Sequence, residues 1–291
     1  MDISNTLDIK TIVPLIVMAI AEDRGSGDVT SELLFKGSVN ARARIVARED
    51  LIVCGMDLVH EVLCQYDDQL KLEILTRDGQ FVPKQAVMAV IEGPLTSILS
   101  AERVVLNFLQ RLCGIATLTG KYVQMVQHTK AKIYDTRKTT PAWRVLEKYA
   151  VRCGGAYNHR MGLYDGVLIK DNHLAEFADS IPERLTELVQ RASALEQVKF
   201  FEVEVDCIDQ LVQVLEVSGI DIVLLDNMDE SQMREAVLLR DKICKSAQPL
   251  LEASGGITLD NLAAAADTGV DRIAVGAITH SAIAVDIGLD R

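Results

Sequence analysis

From about residue 130 onward, short apolar runs alternate with helix-length segments. The runs 132–135 (KIYD), 166–170 (GVLIK), 200–205 (FFEVEV), 220–226 (IDIVLLD), 249–254 (PLLEAS) and 272–275 (RIAV) are rich in β-branched residues, and most turn polar at or just past their carboxyl ends. Runs of this kind read as strands buried on both faces, and their separation by helix-length segments predicts parallel βα units. Six such units, with a seventh strand drawn from 154–160, predict an α/β barrel rather than an open doubly wound sheet. No G-x-G-x-x-G follows a strand and no G-x-x-x-x-G-K-[ST] occurs, so neither nucleotide-binding fingerprint is present.

The first 110 residues have a different texture. Ile12, Leu15, Ile16, Ala19 and Ile20 follow helical spacing. The pattern then predicts a strand over 41–53, a helix over 57–66 and strands over 70–75 and 86–91. A long helical stretch over 95–129 follows, with breaks at Gly114 and Gly120, and bridges the two regions. The expected organisation is an α+β N-terminal sandwich domain over 1–115 and an incomplete α/β barrel over 116–278, with the tail 279–291 packed on the first domain. The apolar run 11–21 is too short to span a bilayer; Asp2 and Asp8 precede it and Glu22-Asp23 follow it, unlike a secretory leader. The six cysteines include no C-x-x-C pair and read as small buried hydrophobes. Together these features predict a soluble, cytoplasmic protein.

Charge changes the picture locally. With 30 Lys+Arg against 42 Asp+Glu, the net charge of −12 argues against general binding to nucleic acid or to an anionic membrane. Residues 135–173 reverse that sign with a net of +3, leaving −15 on the remainder. Within this window Thr140-Pro141 reads as an N-cap with Pro at the first helical position, and Gly154 as the stop. Arg144, Lys148 and Arg152 recur along one helix face, where Lys148 and Arg152 read as solvated. A local basic region in an acidic chain suits a small anionic ligand.

The strand ends concentrate the chemistry. Arg137 and Lys138 follow the first strand, and Lys170 ends the second. Glu204 and Asp226 end the next two, followed by Ser254-Gly255-Gly256 and by Val275-Gly276-Ala277. In a βα barrel all of these converge on the carboxyl-terminal mouth. Lys170 is the strongest single candidate because it closes an otherwise apolar strand. Glu202 shares a strand face with Glu204 and competes with it. The glycine turns suit a phosphate, since glycine lets backbone N–H groups approach an anion closely. His159 and Arg160, in a loop, read as anion-binding. His60, His128 and His280 show no partner spacing, and His173 stays unassigned. Read from residues alone, a Schiff-base lyase using Lys170 or a non-catalytic binder of phosphate ligands also fits.

The motifs DTRKTTPAWR (135–144), EKY (147–149), GGAYNHR (154–160), LIKDNH (168–173), EVEVD (202–206), LLDN (224–227), EASGGI (252–257) and VGAITHS (275–281) resemble the quinolinate phosphoribosyltransferase (nicotinate-nucleotide pyrophosphorylase) family. EDRGSGDVT (22–30) and ERVVLNFLQRLCGIAT (102–117) extend the resemblance upstream. It implies a homodimeric type II phosphoribosyltransferase that converts quinolinate and phosphoribosyl pyrophosphate, with Mg²⁺, to nicotinate mononucleotide, pyrophosphate and CO₂ in NAD biosynthesis. By motif, Arg137, His159, Arg160 and Lys170 would hold the quinolinate carboxylates, and Arg103 would enter the neighbouring subunit's site. Lys138 would contact the donor, and Thr136 is expected among the substrate-binding residues. Glu204 and Asp226 would sit by the ribose and the Mg²⁺ carried by substrate phosphates, and with Lys170 they are the expected catalytic residues. Ser254, Gly255, Gly256, Val275, Gly276 and Ala277 would hold the 5′-phosphate. The sequence departs from the family at Ala142, where a glycine is expected after Thr-Thr-Pro; alanine suits a helix start, so a small effect is expected.

Overall fold

The computed structural model describes residues 7–35, 39–244 and 249–291; Asp2 lies outside them. The chain divides into two compact units. The first takes the described residues of Met1–Gly120 with Thr139–Gly155 and Ile278–Arg291, and the second takes Lys121–Lys138 and Ala156–Ala277.

The second unit is built on a six-stranded, wholly parallel sheet. Its order is Lys132–Tyr134, Arg272–Ala274, Leu250–Ser254, Ile222–Asp226, Phe201–Val205, Val167–Ile169. Neighbours in space are neighbours in sequence, except that the first strand pairs with the last. That cyclic order is the signature of a sheet wrapping into a barrel, and it is incomplete because no ladder joins Lys132–Tyr134 to Val167–Ile169. Phe201–Val205 is buried along its whole length, and Ile222–Asp226 is buried until Asp226. The expected seventh strand does not form. A single bridge joins Tyr134 to Tyr157. Beyond it the chain is pinned by a side chain instead of a ladder: Asp135, fully buried, accepts from Asn158 Nδ2 at 2.6 Å and from the His159 N–H at 2.8 Å.

In the first unit a four-stranded antiparallel sheet has the order Ile287–Asp290, Asn40–Ala47, Val87–Pro94, Lys71–Ile74. The run expected as one strand over 41–53 is two. Asn40–Ala47 belongs to this sheet, and Leu51–Ile52 pairs separately with Phe81–Val82. Helix Ile9–Arg24 is capped by the Asp8 carboxylate, and Val29–Leu34 by Asp28.

Helix Leu95–Val126 runs unbroken through Gly114 and Gly120. Both glycines are there for room rather than for a break. A Cβ on Gly114 would lie 2.1 Å from the Ile283 carbonyl oxygen, and one on Gly120 would lie 2.5 Å from Ile52 Cδ1. The next helix starts at Arg144, not at Pro141. Thr140 is not its cap: its N–H and hydroxyl both donate to Glu147, at 3.1 and 2.8 Å, and Glu147 is also bound by Arg111 at 2.9 Å. Ala142 therefore sits in a turn at φ 65°, not at a helix start. Lys148, expected on a solvated face, is only 1% exposed, and Arg152 is half-buried. Cys54, Cys113 and Cys153 are buried, as expected of small hydrophobes, while Cys64 is exposed. Burial pushes the Cys113 thiol up to about 12. Among the described residues no helix is long and apolar enough to cross a membrane.

Candidate active site

At the carboxyl ends of the parallel strands the second unit holds a cavity of about 560 Å³. Thr136, Arg137 and Lys138 enter it from the loop after Lys132–Tyr134, and His159 and Arg160 from the segment pinned by Asp135. Lys170, Glu204 and Asp226 reach it from three successive strand ends, and Ser254, Gly255 and Gly256 close a further side. The strand-end convergence expected from sequence is thus present. Ala274 is the last cavity residue of its strand, so Val275, Gly276 and Ala277 follow directly beyond the lining. Arg103 is exposed on helix Leu95–Val126 in the first unit. Leu168, Leu224, Asn227 and Glu252 also line the cavity. The last two lie inside quoted motifs, but neither stood out as a strand-end charge.

The electrostatics are those of a site awaiting an anion. Burial and the like charge of Arg137 both depress the Arg160 guanidinium, and a bound carboxylate would offset the repulsion. Lys170 Nζ lies 3.5 Å from Glu204 Oε2. Burial raises Glu204, Lys170 opposes that rise, and the carboxylate of Asp226 adds to it.

Glu202 and Glu204 do share a strand face, at different depths. Glu204 reaches the cavity, whereas Glu202 is fully buried beneath it. His159 Nε2 approaches Glu202 Oε2 at 2.9 Å and Glu252 Oε1 at 3.5 Å. Burial by itself would depress this imidazole, but the two glutamates outweigh it and raise it to about 9. His159 Nδ1 faces the Arg160 N–H at 2.7 Å, a geometry that suits a neutral ring. In either protonation state Nε2 carries the proton aimed at the carboxylates. His173 has a local role, accepting the Lys170 N–H at 2.9 Å.

The glycine turn has a steric cause. Gly255 has φ 95°, and a Cβ there would fall 2.1 Å from Asn227 Oδ1. Asn227, itself at φ 53°, donates its N–H to the Ser254 carbonyl at 2.9 Å and its side-chain amide to Asp226 at 2.8 Å. The turn and the Asp226 carboxylate are therefore fixed by one residue.

A parallel βα sheet with cations, paired carboxylates and a glycine turn at its carboxyl ends defines an α/β-barrel enzyme site for a small polyanion. Comparison with known proteins narrows this. A family model for the quinolinate phosphoribosyl transferase C-terminal domain matches residues 115–290, and that for the N-terminal domain matches 28–113. A probable nicotinate-nucleotide pyrophosphorylase [carboxylating] of Bacillus subtilis is 42% identical over 269 residues, covering 92% of this chain and 89% of the relative. The nicotinate-nucleotide pyrophosphorylase [carboxylating] of Mycobacterium leprae is 41% identical over 275 residues, covering 94% of both. The solved nicotinate-nucleotide pyrophosphorylase structure from Francisella tularensis matches with a TM-score of 0.88 at 39% identity, covering 98% of each chain. The chain belongs to the quinolinate phosphoribosyltransferase family.

Proposed function

We propose that this chain catalyses decarboxylating phosphoribosyl transfer: quinolinate and phosphoribosyl pyrophosphate give nicotinate mononucleotide, pyrophosphate and CO₂ in NAD biosynthesis. Family membership supports the reaction. The observation that carries it is the gathering of Arg137, Lys138, Arg160 and Lys170 around one cavity in a protein of net charge −12.

The residues suit each stage. Arg137 and Arg160 can pair with the two quinolinate carboxylates in bidentate fashion, with Lys170 as a compact third cation and His159 backing them. Lys138 and Thr136 meet the donor's pyrophosphate. Ser254, Gly255 and Gly256, continued by Val275, Gly276 and Ala277, receive the 5′-phosphate. The ring nitrogen bonds to C1′ as the C1′–O bond to pyrophosphate breaks. In that transition state positive charge develops on the ribose, where the carboxylates of Glu204 and Asp226 stabilise it, and it passes to the ring nitrogen as the new bond forms. Loss of CO₂ leaves an electron pair on C2 that the adjacent ribosylated nitrogen stabilises, and C2 then takes a proton.

The donor set also fits Mg²⁺. Two carboxylates, Glu204 and Asp226, stand close enough for one to raise the other, and Mg²⁺ is commonly held by one or two carboxylates plus substrate phosphates. When bound, it would neutralise charge on the departing pyrophosphate. The half-exposed Lys170 pairs with Glu204, which suits charge binding better than the desolvated amine a Schiff-base lyase needs.

The active form is a homodimer in which Arg103 serves the neighbouring subunit's site. Supporting it, Met18, Val29, Leu33 and Leu34 on the first two helices expose apolar surface, with Leu33 81% exposed. Six cysteines carried as thiols accord with a cytoplasmic setting. The test incubates the protein with quinolinate, phosphoribosyl pyrophosphate and Mg²⁺ and follows CO₂ and mononucleotide. Nicotinate in a parallel reaction should yield little product if the 2-carboxylate is required. Absence of CO₂ release from quinolinate would overturn the reading.

A further inference from the structure

At the cavity floor, with Glu252 in its lining and Glu202 beneath, lies a pair of buried carboxylates that the reaction above does not use. Glu202 and Glu252 are both fully buried. On the neighbouring strand Arg272 donates from Nε to Glu252 Oε2 at 2.5 Å, and its guanidinium stacks 3.6 Å above the Tyr134 ring. Glu252 therefore has a strong partner of its own. Glu202 does not: neither of its oxygens receives a hydrogen bond of normal geometry, and its close contact is the approach of His159 Nε2 at 2.9 Å.

Such a group is expensive to keep. A buried carboxylate is costly unless it is paired and hydrogen-bonded, and replacing buried ionic groups with apolar ones is often neutral or stabilising. Packing alone gives no reason for a glutamate here. Its contact does. The His159 imidazole stands between this layer and the cavity wall, with Nε2 on the carboxylates and Nδ1 against the Arg160 N–H at 2.7 Å. Arg160 is held again at its far end, where Nη1 donates to the Gly166 carbonyl at 3.0 Å. The chain of contacts thus runs from Glu202 through His159 to the arginine assigned above to a quinolinate carboxylate.

We propose that Glu202 is a positioning residue for the acceptor end of the cavity: it fixes the His159 ring, and the ring fixes Arg160. This rests on the quinolinate reading above. Glu202 touches no substrate, and its removal acts on acceptor binding while the donor end keeps its own residues.

The test compares E202L and E202Q with the wild-type enzyme. E202L should fold with an unchanged or raised melting temperature and show a quinolinate KM raised about tenfold or more, the scale expected for a misplaced binding group. Its KM for phosphoribosyl pyrophosphate should stay within about twofold, and E202Q, whose amide oxygen can meet Nε2–H at the same place, should recover most of the loss. A quinolinate KM unchanged in E202L would overturn the proposal, as would equal rises in both KM values or a failure of E202Q to recover. Should E202L not fold, ¹⁵N NMR of the wild-type protein decides. A slowly exchanging Nε2–H assigned to His159 supports the strut, and a rapidly exchanging one overturns it. That measurement needs no turnover, so it stands apart from a failure of the quinolinate reading itself.

Discussion

Glu204 Oε2 and Lys170 Nζ lie 3.5 Å apart at the ends of neighbouring parallel strands, both facing the cavity. In the proposed reaction the pair would place a carboxylate where positive charge develops and a cation where the acceptor binds. E204Q keeps the shape and removes the charge. Its kcat should fall about a hundredfold while the KM for either substrate moves little, the signature of an interaction made in the transition state. Steady-state kinetics check this, and an unchanged kcat would sink the role of Glu204.

The two turn glycines should respond differently to alanine. At Gly255 the added methyl meets Asn227 Oδ1 and its backbone N–H, so G255A must displace the residue that holds Asp226. At Gly256, with φ 60°, nothing lies within 4 Å of the added Cβ. G256A should therefore cost only the left-handed penalty of about 1–2 kcal/mol. We expect G255A to lose most activity and to raise the KM for phosphoribosyl pyrophosphate, and G256A to stay active. The reverse order would refute the steric account.

Ala142 occupies a left-handed conformation at φ 65° where relatives were expected to carry glycine. A142G removes the Cβ clash but adds freedom to the unfolded chain. The first effect is of order 1–2 kcal/mol and the second about 0.5–1. A small net gain in stability follows, readable as a rise in melting temperature. A clear fall would show that the alanine methyl makes a packing contact worth more than the backbone penalty.

Acid should weaken the second unit through Asp271. Burial would raise this carboxyl, but the Leu251 N–H, Lys130 and Arg240 together hold it below the usual aspartate value. A carboxylate with a depressed folded pKa stabilises above its unfolded value near 4, and that contribution is lost as pH falls through the folded value. D271N should flatten this acid limb. It also leaves Arg240, 1% exposed, with Asp241 as its one counter-charge among the described residues, at a cost of about 3 kcal/mol. Urea midpoints between pH 7 and 3 test both statements, and parallel curves for mutant and wild type would refute the linkage.

If Arg103 serves the partner's site, inactive R103A and inactive K170A should complement when mixed. Random exchange would make half the dimers mixed, each with one intact site, so about a quarter of wild-type activity should return. No recovery despite confirmed subunit exchange would place Arg103 in its own subunit's site or outside it.

The six parallel strands were readable because a strand buried on both faces is written as an unbroken apolar run, and its exit from the sheet as a change to polar residues. The same rule located Lys170, Glu204 and Asp226. Local pattern failed where the deciding neighbour is distant in sequence. Gly114 reads as a helix break until the Ile283 carbonyl is seen against it, and Thr140-Pro141 reads as a cap until Glu147 captures Thr140. Phe81–Val82 is too short to carry a period. Alternation along Phe201–Val205 put Glu202 and Glu204 on one face but could not give depth, which depends on how far up the barrel each residue sits. The partners of Glu202 come from the segment at 159 and the strand at 252.

The strand Ile287–Asp290 completes the first unit's sheet by pairing with Asn40–Ala47, so residues some 240 positions apart lie in register. During synthesis on the ribosome, Asn40–Ala47 can join Val87–Pro94 early, yet its other edge must wait for some 190 further residues. An open edge is an invitation to pair with the wrong chain. Arg44 lies in the paired register and Arg48 just beyond it, and Arg48 later closes onto Asp290 when that strand arrives. Folding of this sheet thus keeps one edge of Asn40–Ala47 open until residues 287–290 have been made.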